Sequence, residues 1–268
     1  MLKRKNIKAY VEDLKAGKIE RKIYETGIRS LDDAIEGGIP EGLTVLGGAP
    51  GYGKSTLAFQ IASNMCAQGR VTTIYSLEMD GLDFAEKDVA RQKRRVTQET
   101  DKGRVDIVEA YEGLTLELLI EDIEDTVSAN DNSVIIIDYL QLIKPKNSHL
   151  LDSKLRVDEC VQGLHEVSKR CHIPIIVISS LNREAYKKNI VDIFDFKESG
   201  KIEYSAALIL AIEKDGNQTS EDERACRIRV LKNRGRRQPL EPIQLTFYAK
   251  YASFEERDNQ YSQKKLRL

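Results

Sequence analysis

Apolar and polar positions along this chain follow two rhythms, one of about 3.6 residues and one of two, and the rhythms take turns. The first clear stretch is Asn6-Ile-Lys-Ala-Tyr-Val-Glu-Asp-Leu-Lys-Ala16, where Ile7, Tyr10, Val11 and Leu14 fall at i, i+3, i+4 and i+7. That spacing puts four apolar side chains on one face of a short helix, which Gly17 stops. A charged connector, 18–22, follows. Such a helix either folds back onto its own domain or forms an arm whose stripe docks on another subunit.

Beyond the connector the pattern predicts strands at 43–47, 71–76, 105–109, 133–138, 173–179, 206–212, 226–231 and 243–248. It predicts helices at 29–36, 54–68, 83–96, 114–129 and 155–170, the last with Val157, Cys160, Val161, Leu164 and Val167 on one face. Ile135-Ile-Ile137 and residues 173–178 are nearly continuous β-branched runs, the composition of strands buried on both faces. Strands and helices alternate early, and strands alone close the chain. The expected fold is therefore α/β, a mainly parallel central sheet flanked by helices with antiparallel strands at its C-terminal end. No internal repeat is evident. After Phe254 the chain is polar and charged and is expected to fray. The expected organisation is an arm at 1–22, one domain at 23–255 and a tail at 256–268.

Composition narrows the class. The chain has 268 residues, is 41% hydrophobic and 32% charged, and carries a net charge of −1. A global basic field is excluded, so any nucleic-acid binding must come from local patches. Cys66, Cys160, Cys171 and Cys226 have no metal-like spacing and read as reduced, mostly buried small hydrophobes of a cytosolic protein. His149, His165 and His172 form no ligand cluster. Met1-Leu-Lys-Arg-Lys lacks the apolar core of a signal peptide, and no segment approaches ~18 apolar residues. A cytoplasmic protein with no membrane partner is expected.

The strongest chemical signal is Gly48-Ala-Pro-Gly-Tyr-Gly-Lys-Ser55, which has the Gly-x4-Gly-Lys-Ser spacing of a phosphate-binding loop. It follows the apolar run 43–46 and leads into Leu57, Ala58, Ile61 and Ala62, so it lies where a strand turns into a helix. The glycines let consecutive N–H groups face one anion, and the helix N-terminus adds partial positive charge. A nucleoside triphosphate is the expected ligand, held by Gly48, Ala49, Pro50, Gly51, Tyr52, Gly53, Lys54, Ser55 and Thr56. Lys54 should reach the β- and γ-phosphates, and Ser55 should hold Mg²⁺.

Hydrolysis needs more than a cradle. Val134-Ile-Ile-Ile-Asp138 ends an apolar strand in a carboxylate, at the sheet edge where ligands of open α/β sheets collect. Asp138 is the second candidate at the metal. Thr73-Ile-Tyr-Ser-Leu-Glu78 ends the same way, and Glu78 is the candidate for activating water, although a lone loop glutamate is a weak signal. Lys232-Asn-Arg-Gly-Arg-Arg237 reads on its own as a solvated basic turn or as a phosphate-binding patch.

Taken in order, several segments resemble the ATPase domain of DnaB-type replicative helicases. They are Thr26-Gly-Ile-Arg-Ser-Leu-Asp32, the phosphate loop, Ser76-Leu-Glu-Met79, Ile137-Asp-Tyr-Leu-Gln-Leu142, Ser179-Ser-Leu-Asn-Arg183, Glu198-Ser-Gly-Lys-Ile-Glu203 and Lys232-Asn-Arg234. The resemblance runs from about Tyr24 to Phe254. It implies a RecA-like domain assembling as a hexameric ring, with ATP and Mg²⁺ between subunits and single-stranded DNA in the channel. A primase or a helicase loader is the further partner it implies. By resemblance Glu78 is the catalytic glutamate and Asp138 the second-motif aspartate. Lys232 and Arg234 match the Lys-x-Arg pair that a neighbour inserts toward the γ-phosphate.

The chain departs from that pattern in three places. Ser180 stands where the family has a glutamine similar to a γ-phosphate sensor. The stretch from Met79 to Val105 is short. The family's separate N-terminal domain is expected to be absent, as in a phage- or mobile-element-like form, and the arm at 6–16 stands where a linker helix packs on the next subunit. Candidate DNA contacts lie in two segments that follow strand ends, Lys144 and Lys146 in the first and Arg183, Lys187, Lys188 and Lys197 in the second. Few aromatics are interleaved, so backbone tracking is expected over base stacking. The basic run 91–95 reads as the solvated end of a helix. The expected function is an ATP-driven helicase motor. The alternative is a DNA-binding or assembly module that binds ATP with little DNA-coupled hydrolysis.

Overall fold

The computed structural model describes residues 6–94, 102–110, 114–146, 152–188, 190–196, 200–218, 220 and 222–257. The side chain of Lys187, all of Lys197, Arg95 and the tail from 258 onward lie outside the described residues. In chain order the elements are α1 (Ile7–Lys15), β1 (Ile23–Tyr24), α2 (Arg29–Ala34), β2 (Ile39–Pro40), β3 (Gly42–Gly48) and α3 (Lys54–Ala67). Then come β4 (Val71–Ser76), α4 (Gly81–Gln92), β5 (Arg104–Glu109), α5 (Leu116–Ala129), β6 (Ser133–Asp138) and α6 (Ser153–Cys171). The chain continues through β7 (Pro174–Ser180), α7 (Gly200–Ser205), β8 (Leu208–Gln218), β9 (Glu223–Asn233), β10 (Ile243–Tyr248) and β11 (Ser253–Glu256).

Nine strands form one sheet in the order β11-β10-β9-β8-β3-β7-β6-β4-β5. β8, β3, β7, β6, β4 and β5 run parallel, and β9, β10 and β11 extend the sheet antiparallel. Two cores explain the order. Leu46, Val134, Ile136, Ile176 and Ile178 pack with Leu31 of α2, Leu57 and Ile61 of α3 and Phe84 of α4. Val45, Ile135, Ile137, Ile175 and Val177 face the other way, onto Leu119 and Ile123 of α5 and Val161 and Leu164 of α6. Successive residues of one strand thus enter opposite cores, which is why these strands read as unbroken apolar runs. Burial also pushes the Cys160 and Cys226 thiols up to about 12, which keeps them unreactive.

Local chemistry sets the helix starts. Asp80 and Asp83 form a capping box at α4, and the Thr115 and Asp152 side chains accept from Leu118 and Leu155 N–H at α5 and α6. Ahead of α2, Asp32 accepts from the Thr26 N–H and hydroxyl, both at 2.8 Å, and from the Gly27 N–H at 3.1 Å. The turn so formed lies against α3, whose Asn64 donates to the Thr26 carbonyl at 3.0 Å.

The structure corrects the sequence reading in several places. β8 and β9 are each 11 residues long, well beyond the expected 206–212 and 226–231. β11 pairs with β10 through Glu256, so the chain is held in the sheet past the expected fraying point. α7 and the short β1–β2 pair were not foreseen. The basic end of α4 is only partly solvated: Lys93 is exposed, but Arg91 and Arg94 are engaged. Arg91 is buried, pairs with Asp88 at 2.9 Å and lies over Phe59, while Arg94 binds Glu255 and lies 3.5 Å over the Tyr248 ring. α1 buries no residue, and Ile7 and Leu14 are 73% and 59% exposed, so its stripe does not fold onto its own domain. No helix among the described residues is long and apolar enough to cross a membrane.

Gly47 is the tightest point under the phosphate loop, because a Cβ there would lie 2.4 Å from the buried Phe196 ring. Gly47→Ala should destabilise the fold by about 1–3 kcal/mol and lower the melting temperature by several degrees. Gly200→Ala, where a Cβ meets nothing within 4 Å, should leave it unchanged. Thermal melts of the two variants check this.

Candidate functional site

β3 ends at Gly48 in the middle of the sheet, and α3 begins at Lys54. The loop between them turns through Gly51 at φ 76° and Gly53 at φ 81°, a region open to glycine and strained for other residues. Gly53 is the N-cap of α3 and offers no side chain to cap it, so the first N–H groups of the helix stay directed at the loop. Phe247 and Phe254, stacked 4.5 Å apart, support it from below, and a Cβ at Gly53 would lie 2.8 Å from Phe254.

The parallel register brings other strand ends to the same edge. Gly48 pairs with Ser180 of β7 and Ile212 of β8, and Ser76 of β4 pairs with Asp138 of β6. A cavity of about 480 Å³ opens there, lined by Lys54, Ser55, Glu78, Lys87, Asp138 and Ser180 together with loop backbone. Asp138 is only 3% exposed, and the Ser55 hydroxyl hydrogen-bonds its carboxylate. Burial, the dominant cause, raises the Asp138 carboxyl above the usual range, with Glu78 adding to it. Burial lowers the Lys54 ammonium, against the pull of Asp138 and Glu78. Lys54 Nζ is curled onto the Ala49 carbonyl at 3.1 Å, over the loop where a phosphate oxygen would replace it. Glu78 is exposed at the cavity mouth, on the turn after β4.

The donor set suits a magnesium nucleotide. Ser55 and Asp138 offer adjacent hard oxygens, and the cavity adds the loop's glycine backbone and two lysines, Lys54 and Lys87. Sequence reasoning missed Lys87. It lies on α4 one turn beyond the buried Phe84, contacts the Met79 sulfur at 3.8 Å and reaches the cavity. The i+3 spacing from Phe84 was the available signal. A second cavity, about 270 Å³, adjoins the loop at Pro50, Gly51 and Tyr52 and is also lined by Lys214, Arg224 and Phe247.

Lys232 and Arg234 are not in either cavity. Lys232 lies at the end of β9 and Arg234 just after it; Asn233 between them pairs with Leu208, itself opposite Thr44 on β3. Gly48 lies four residues, about 13 Å, further along β3, so the pair occupies the opposite edge of the sheet from the loop. There Lys232 Nζ and Arg234 donate to the Glu203 and Tyr204 carbonyls at the end of α7. Burial and the Arg234 charge lower the Lys232 ammonium.

The match to known proteins follows the same lines. The family model for the DnaB-like helicase C-terminal domain covers residues 24–256. The chain belongs to this family. It is 25% identical to the replicative DNA helicase DnaB of Mycoplasma genitalium over 95% of this chain and 62% of that one. It is 27% identical to the DnaB of Pasteurella multocida over 90% of this chain and 56% of that one. The chain thus spans about three-fifths of the length of these relatives. The ATPase domain of G40P superposes with a TM-score of 0.79 at 18% identity, covering 94% and 97% of the two chains. A DnaB-like replicative helicase, solved for its interactions with primase, gives 0.77 at 19% identity over 94% of this chain and 66% of that one. The fold is RecA-like.

Of the remaining candidates, Lys144 and Lys146 are exposed beyond β6, and Arg183 is exposed beyond β7. β6 and β7 are neighbours, so both segments leave the sheet side by side at the phosphate-loop edge. Lys188 is half exposed and paired with the buried Asp195, which reduces its value as an anion contact. Phe196, close to these candidates in sequence, is buried beneath Gly47, whereas Phe194 is 71% exposed. Ser180 lines the cavity, and a glutamine does reach this corner from the adjacent strand end. Gln141 accepts from the Ser180 N–H at 3.2 Å and donates to the Ser179 hydroxyl at 3.0 Å.

The raised carboxyl of Asp138 has a stability consequence. The folded state binds its proton more tightly than the unfolded state, so the cost of its charge is present at neutral pH and disappears as pH falls below the unfolded carboxylate range. Asp138→Asn should melt above wild type at pH 7.5 without nucleotide, with the gap closing toward pH 4. Paired melts across that range check this.

Proposed function

We propose that this chain is the ATP-hydrolysing motor domain of a replicative-type DNA helicase, with ATP bound between subunits of a hexameric ring that translocates on single-stranded DNA and unwinds duplex. The observation that carries the reading is the separation of Lys232 and Arg234 from the phosphate loop, across one sheet. The cavity's own charged side chains cancel, two lysines against two carboxylates, and leave none over for the charge of a triphosphate. A pair of cations on the opposite edge is placed to serve a neighbour's loop, and head-to-tail use of two different surfaces is the arrangement from which a closed ring is built.

The residue roles follow from position. Ser55 and Asp138 would hold Mg²⁺, which when bound neutralises phosphate charge. Lys54 and Lys87 bind phosphate oxygens from their own chain. Glu78 orients the attacking water and accepts its proton, and Arg234 of the neighbouring copy stabilises the charge of the transition state, a contribution of about 10³–10⁵ in rate. The second cavity takes the base, between Phe247 and the cationic ends of Lys214 and Arg224. Lys144, Lys146 and Arg183 track the DNA backbone. The exposed stripe of α1 supports its use as an arm that docks on the adjacent copy. A primase or a loader is the further partner this reading entails.

An assembly module that binds ATP without DNA-coupled hydrolysis is the second reading, favoured by the serine at 180. ATP turnover with and without single-stranded DNA separates the two. The motor reading predicts severalfold stimulation by DNA, and a rate indifferent to DNA would remove it. In the same assay Glu78→Gln should retain ATP binding and lose about 10²–10⁴ in turnover.

A further inference from the structure

Two connections join the phosphate-loop edge to the segment 191–196. One leaves the cavity through Ser180: Leu181 forms an antiparallel bridge with Phe196, and the Asn182 N–H donates to the Asp195 carbonyl at 2.8 Å. The other runs through β8. Ile212 is the register partner of Gly48, and its carbonyl lies 3.1 Å from where a Gly48 Cβ would be. The next residue, Glu213, is 2% exposed. Its carboxylate accepts from Arg227 Nε at 2.6 Å, from Arg229 Nε and Nη2 at 2.7 and 3.1 Å, and from the Val191 N–H at 2.8 Å.

A carboxylate taken out of water needs this many partners to stay charged, and once saturated it has one geometry. Both arginines come from β9, Arg227 directly opposite Glu213 and Arg229 opposite Ala211, so the cluster is bolted to two strands. The segment it holds is itself pinned. Asp192 and Asp195 cap each other across the Ile193–Asp195 turn, and Phe196 is buried under Gly47. Of its apolar side chains, Phe194 is the one turned outward.

We propose that Glu213 is the positioning residue that couples the phosphate loop to the 191–196 segment, in place of the strand-end route that Ser180 is too short to drive. Movement of the β3 end on nucleotide binding shifts the end of β8. Glu213 then carries Val191 and the turn behind it, because its bonds leave no slack between β8, β9 and that segment. This rests on the nucleotide reading above.

The chain contains no tryptophan, so Phe194→Trp gives a single reporter on the moving segment. A non-hydrolysable ATP analogue with Mg²⁺ is titrated against this protein, and analogue affinity is measured independently by calorimetry. The expected result is a saturable emission change that Glu213→Gln reduces by about fivefold or more, while affinity stays within about threefold. Glu213→Asp keeps the charge between the arginines but draws it back from Val191. It should lose the signal too, and it serves if the glutamine variant fails to fold. A full signal in either folded variant overturns the proposal, as does analogue binding with no emission change while Glu213 is intact. Failure of the analogue to bind the Phe194→Trp protein overturns the nucleotide reading beneath it.

Discussion

A triphosphate brings more negative charge than one short loop can neutralise, and the site in this chain is built around that imbalance. The lysines at the cavity, Lys54 and Lys87, are matched by the carboxylates of Glu78 and Asp138. Burial works against both signs, lowering the Lys54 ammonium and raising the Asp138 carboxyl. What remains for the phosphates is backbone: the glycine loop and the uncapped start of α3. Those groups bind an anion well but carry no net charge of their own. Lys232 and Arg234 stand on the same sheet at the other edge, held on the carbonyls that end α7. On the proposed reading the isolated chain is therefore half of two sites.

The sheet register turns this local constraint into a global one. β3 lies between β8 and β7, both parallel to it, so the phosphate loop shares its edge with Ser180 on one side and with Ile212 and Glu213 on the other. Gly47 and Gly48 let a phenyl ring and a backbone carbonyl come close beneath the loop. The segments carrying Lys144, Lys146 and Arg183 leave neighbouring strands at the same edge. A displacement at the loop consequently meets packed groups on each side, and packed groups move together.

Much of this was legible in the sequence because it is local. The phosphate loop, the carboxylates closing two apolar strands and the double-faced β-branched runs each announce themselves within a few residues. Eight of the nine strands of the sheet, and its antiparallel end, followed from strand–helix alternation. What was not legible depended on distant partners. Arg91 reads as one charge in a basic run, and its burial rests on the face of Phe59 and the Gln60 carbonyl as well as on Asp88. β11 is a polar stretch whose sheet partner, β10, holds it in place. Lys87 was hidden because a lysine on an exposed-looking helix carries no signal until Phe84 fixes which face turns inward. The placement of Lys232 and Arg234 at the far edge required the pairing of β9 with β8, which no local pattern encodes.

On the proposed reading each ATP site draws on two copies of this chain. Mixing two inactive proteins tests it: Lys54→Ala, with a disabled loop and an intact Lys232/Arg234 pair, and Arg234→Ala, with the reverse. In a ring mixed at equal amounts, about a quarter of the interfaces join a working loop to a working arginine. The account predicts that DNA-stimulated ATP turnover reappears in the mixture at a comparable fraction of wild type. A mixture no more active than its two components measured separately, with mixed assembly confirmed by mass, would contradict it.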